Sequence, residues 1–89
     1  MNIHTQTLVL HIANTQELYA GTMFLLRHQR NRYDFAIELR EFIEEVLMSA
    51  TSSLFAKDVM MSSLAEVNWA EIADDYWNEY HNIEPEEAV

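Results

Sequence analysis

Along its 89 residues the chain has one glycine, Gly21, and one proline, Pro85. Sheet-rich and loop-rich folds draw on these two residues for turns, because glycine takes positive φ freely and proline presets a bend. With one of each, the chain has little means of reversing strands repeatedly. Helices joined by short polar breaks remain, and 49% hydrophobic residues are enough to give them a shared core. The expectation is an all-α fold: a single compact bundle of four to five short helices over residues 1–83, with a flexible acidic tail at 84–89.

Three breaks share one form. Asn14 to Glu17, Asn31 to Asp34 and Asn68 to Glu71 each place an asparagine three residues before an acid. In that pattern the asparagine caps an N3 amide and the acid reaches back toward the cap, so three helix starts are predicted. Val67 and Ile72 flank the last one at staple spacing. After Asn31, the residues Phe35, Leu39, Phe42, Ile43, Val46 and Leu47 recur at helical spacing, while Asp34, Glu38, Glu41 and Glu45 take another face.

Between Asn14 and Arg27, a stripe of Tyr19, Met23 and Leu26, widened by Leu18 and Leu25, predicts a second helix with bases at its negative pole. Ala50 to Ser53 reads as a break, after which Leu54, Met61, Leu64 and Ala65 predict a helix to about Glu66. Residues 5–13 have strand-like composition, but one strand has nothing to pair with, so a short helix is expected there.

The stretch from Glu66 to Tyr80 mixes two tryptophans and two tyrosines with five carboxylates and has no lysine or arginine. On a helix begun at Asn68, Trp69, Ile72, Ala73, Tyr76 and Tyr80 form a core stripe, opposite Glu71, Asp74, Asp75, Asn78 and Glu79. Trp77 falls at the edge between the two, fit either for the core margin or for a binding surface.

Charge is distributed unevenly. Residues 1–57 have a net charge of −1, whereas residues 58–89 hold nine acids and no base, accounting for −9 of the total of −10. Such a field repels nucleic acid and anionic membranes and attracts basic partners. Arg27, Arg30 and Arg32 form a small basic patch, expected to pair with the protein's own acids.

The residues offer little for catalysis. Without cysteine there is no disulfide, thiolate nucleophile or sulfur-based zinc site, which fits a reducing compartment. His4, His11, His28 and His81 include no pair at i, i+3 or i+4, so neither metal nor cofactor is expected. No Gly-rich loop is present to cradle phosphate, and the paired serines lack a nucleophile elbow. Adjacent carboxylates such as Asp74 and Asp75 do not face one another on a helix, so a non-enzyme is expected. The apolar run at the N-terminus is too short for a signal peptide or membrane span, which predicts a cytoplasmic protein.

The segments LHIANTQELY (10–19), FAIELR (35–40) and EVNWAEIA (66–73) resemble those of a group of small, uncharacterised proteins of phages and mobile elements. That group closes on Val-Asn/Asp-Trp-x-Glu-Ile-Ala, and the likeness spans most of the chain, although the group's aromatic-rich opening is missing here. The resemblance implies a genomic setting in which small acidic proteins look like anti-restriction and anti-CRISPR inhibitors. The setting would then be a host cytoplasm, with a basic host protein or nucleoprotein complex as partner and no direct contact with nucleic acid.

The expected contact surface is Glu71, Asp74, Asp75, Trp77 and Glu79, assisted by Glu38, Glu41 and Glu45. A helical turn rises about 5.4 Å whereas a DNA strand presents a charge about every 3.4 Å, so one acidic stripe is too sparse to imitate a duplex. Mimicry therefore requires that both stripes share a surface. The alternative is a helical adaptor or homodimeric scaffold with an apolar interface built from Trp77, Tyr80 and methionines such as Met60 and Met61.

Overall fold

The computed structural model describes residues 1–81, in which all regular structure is α-helical. Five helices follow in order: α1 (Ile3–Asn14), α2 (Gln16–His28), α3 (Arg32–Ala50), α4 (Leu54–Ala65) and α5 (Trp69–His81). The all-α expectation holds. The predicted end of the domain at residue 83 and the predicted tail at 84–89 lie outside the described residues.

The caps explain most of the boundaries. Asn31 accepts from the Asp34 amide at 2.8 Å and Asn68 from the Glu71 amide at 3.1 Å, as their spacing predicts. The reciprocal half differs. Asp34 reaches the side chain of Asn31, with Nδ2 donating to Oδ2 at 3.2 Å, and the backbone amide of Asn68 donates to the hydroxyl of Thr5 at 2.9 Å. Val67 and Ile72 are both buried, consistent with the predicted staple.

Asn14 is not a cap. Helix α1 runs through it, and the break falls at Thr15, whose extended backbone separates α1 from α2 without a side-chain cap. The cap overlooked in the sequence is Asn2, whose side chain accepts from the Thr5 amide at 2.8 Å. It starts a helix of 12 residues that buries Thr5, Leu8 and Ile12 at i, i+3 and i+7, so the strand-like segment is fully helical.

Phe35, Leu39 and Ile43 of α3 are fully buried and form the centre of the core together with Ile12, Leu26 and Ile72. Each such side chain contributes roughly 1.5–3 kcal/mol through its removal from water. Leu47 and Val67 line one groove, whereas Phe35 meets Trp77 with ring centroids 6.2 Å apart, so α3 and α5 run antiparallel. In α2 the buried line is Leu18, Thr22 and Leu26: Leu26 and the flanking Leu18 are buried as expected, whereas Thr22 takes the place of Met23 and Tyr19 is exposed. The Thr22 hydroxyl donates to the Leu18 carbonyl at 2.8 Å, which satisfies a polar group inside the core. The indole N–H of Trp69 is buried without an acceptor, a cost of about 1–3 kcal/mol.

Two long-range hydrogen bonds fasten the start of α1 to the α4–α5 junction. Besides the bond from Asn68 to Thr5, the side-chain amide of Asn2 donates to the Glu66 carbonyl at 2.8 Å. Helix α4 stands apart from this arrangement. Leu64 is its one buried residue, and the described residues extend over 52 × 25 × 22 Å.

Candidate functional site

The α5 carboxylates divide according to what they meet. Glu71 lies 3.7 Å from the amino group of Met1, and Asp74 lies 3.5 Å from the guanidinium of Arg32. Both pairs are partly exposed and contribute little to stability. Asp75 and Glu79 have no ion-pair partner among the described residues. They stand one turn apart and line two grooves, of about 350 and 290 Å³, that share Tyr19, Tyr76 and Glu79; Asp75 lines the larger one. Burial, assisted by neighbouring Tyr19 and the charge of Glu79, pushes the Tyr76 phenol above its ordinary value and keeps it a neutral hydrogen-bonding group.

The α3 stripe lies elsewhere. Glu38, Glu41 and Glu45 are exposed, and Glu45 borders a shallow groove with Glu17 of α2, Val46 and Ser49. Glu45 borders a different groove from those that Asp75 and Glu79 line. Arg32 reaches Asp74 and Arg40 donates to Glu44 at 3.1 Å, so part of the basic complement is spent within the fold.

Trp77, expected among the partner-contacting residues, belongs to the core. It is 8% exposed, packs on Phe35, and is covered on its outer side by the ring of His81 at 4.2 Å. Tyr80, expected in the core stripe, is 40% exposed. The helical angle of Tyr80 suits the core, but it lies in the last turn of α5, where it borders a groove with Met23 and Leu26.

The largest departure from the sequence reading is α4. Leu54 and Phe55 are 79% and 77% exposed, and Val59 and Met61 also face outward. Of the predicted face Leu54, Met61, Leu64 and Ala65, only Leu64 is buried. Because apolar residues surround the helix, periodicity does not select a face. Between α4, α1 and the end of α3 lies a groove of about 400 Å³ with Leu8, Leu47, Met60 and Leu64 on its walls and His4 and His11 at α1.

Among the described residues, no cluster of histidines and acids could hold a metal ion, and no helix is long and apolar enough to cross a membrane. Comparison with protein-family models, with curated proteins and with solved structures finds no match.

Proposed function

We propose that this chain acts by binding another protein, without chemistry of its own, using α4 as an apolar anchor and the acidic α5 side as an electrostatic guide. The exposure of Leu54 and Phe55 on a helix with one buried residue carries this reading. Large aromatic and aliphatic side chains held outward on a rigid element are what a partner's pocket desolvates to gain affinity. The charge of −9 in residues 58–89 supports a basic partner, since a field of that sign accelerates encounter with positive surfaces.

Inhibition of a host-defence nucleoprotein complex, of the anti-CRISPR or anti-restriction type, is the form of this reading that the charge and the resemblance support. Its version as a duplex mimic needs the two acidic stripes on one surface, and Glu45 borders a different groove from Asp75 and Glu79. Anchoring by α4 beside a basic channel needs no such alignment.

A second reading, self-assembly into a homodimeric scaffold, draws on one further observation. The only charged residues of α4, Lys57 and Asp58, cancel, so two α4 helices can meet without local like-charge repulsion. Capture from host lysate at low and high salt, comparing wild type with Leu54→Ser/Phe55→Ser, tests the first reading; sedimentation at two concentrations tests the second. The first expects a captured protein that the double variant and high salt both lose. Full capture by the double variant overturns the role of α4.

A further inference from the structure

Three places on the surface differ in what they offer a ligand. The groove beside α4 has apolar walls and two histidines, but nothing in its lining selects an occupant. The α3 stripe borders a shallow groove at Glu45, with Glu17, Val46, Ser49 and Ala50 and no aromatic wall. The α2–α5 surface combines a cavity, aromatic walls and unpaired charge.

We propose that the contiguous grooves between α2 and α5, the larger of which Val9 and Ala13 of α1 also line, receive an arginine side chain of the partner protein. The inference rests on the protein-binding reading above and adds the chemistry of one contact. Its parts are Tyr19, Tyr76 and Tyr80 as ring surfaces, Asp75 and Glu79 as acceptors, and fully buried Ile72 as part of the lining. Tyr19 is 46% exposed, so both it and Tyr80 offer ring surface to an incoming group.

Planar guanidinium suits this lining. It stacks on a phenol face and directs its N–H donors sideways to carboxylates, whereas an ammonium is a hydrated point charge that does only the second well. Asp75 and Glu79 lie at i and i+4 on one face of α5, so one cation can approach both. Their lack of an internal cation leaves the site open, in contrast to Asp74, which Arg32 already neutralises. Tyr76 stays protonated and keeps its hydroxyl available as donor or acceptor.

The test uses the full chain and two small probes, N-acetyl-arginine amide and its neutral citrulline analogue, in an NMR titration with assigned tyrosine ring signals. The expected result is saturable shifts at Tyr19, Tyr76 and Tyr80 for the arginine probe, with citrulline binding about tenfold or more weaker. Asp75→Asn and Glu79→Gln, each checked for an unchanged thermal transition, weaken arginine binding several-fold. The triple variant Glu38→Gln/Glu41→Gln/Glu45→Gln leaves it within about twofold, because those groups act only through screened distance. Shifts that never saturate, equal binding of citrulline, or an equal loss in the α3 triple variant overturn the proposal. If the groove ignores arginine while capture through α4 persists, the inference fails and the reading of α4 stands. If arginine binds and Leu54→Ser/Phe55→Ser still captures its partner, the converse holds.

Discussion

Gly21 of α2 faces the ring of Phe42 of α3 so closely that a β-carbon there would lie 2.6 Å from Cε2 and closer still to Cζ. The only glycine in the chain therefore permits close approach of two helices. Replacing it with alanine gains about 1 kcal/mol of helix propensity but forces the ring aside at a cost of about 1–3 kcal/mol. Gly21→Ala is expected to be destabilising in wild type and stabilising in a Phe42→Ala background, a reversal of sign that urea denaturation of the four proteins in the cycle reads directly.

The buried hydroxyl of Thr5 accepts from the Asn68 amide. Thr5→Val keeps the shape and removes the acceptor, leaving that amide unpaired, and is expected to cost about 1–3 kcal/mol in urea melts. Thr5→Ser keeps the acceptor and is expected to cost less. Equal losses for the two would assign the effect to packing of the methyl group.

Trp77→Ala removes a core aromatic and is expected to lower stability by about 3–5 kcal/mol, whereas Tyr80→Ala stays within about 1 kcal/mol. Circular dichroism melts separate the two. A Trp77 variant that folds with wild-type stability would restore it to the surface.

Alkaline pH gives a further check. The phenol of Tyr76 titrates above its unfolded value of 10.0 because burial disfavours the phenolate. In that range the folded state binds more protons than the unfolded state, so stability falls as pH rises. The stabilisation is full below about pH 10 and is lost as pH climbs through the folded-state value. Tyr76→Phe is expected to flatten the fall; an unchanged slope would place its origin in other groups.

How far the chain could be read from its residues differed from helix to helix. In α3 the apolar residues recur on one face and acids occupy another, so the buried centre Phe35, Leu39 and Ile43 followed from spacing alone. The caps at Asn31 and Asn68 were legible because a capping side chain acts within three residues of itself. Asn2 escaped notice because Thr5, rather than an acid, stands at the third position. In α5, spacing gives an angle around the axis but not how far the neighbouring helices reach along it. Trp77 meets Phe35 and is buried, whereas Tyr80 is left partly open in the final turn. Helix α4 lacks contrast between faces, and only the tertiary arrangement decides that Leu64 turns inward and Phe55 outward. The grooves shared by α2 and α5 depend on residues more than fifty positions apart, such as Tyr19 and Tyr76, and no local pattern announces them.

The fastening of Asn2 and Thr5 to Glu66 and Asn68 spans more than sixty residues of chain. During synthesis the first helix emerges long before the segment that completes it. The α1–α2 and α2–α3 neighbours are close in sequence and can associate while the chain grows, but the buried hydroxyl of Thr5 meets its amide donor only once Asn68 has left the ribosome. Until then the apolar stripe Leu8 and Ile12 lacks the cover of α5, so a nascent chain stalled before residue 66 would present it to chaperones or to other chains.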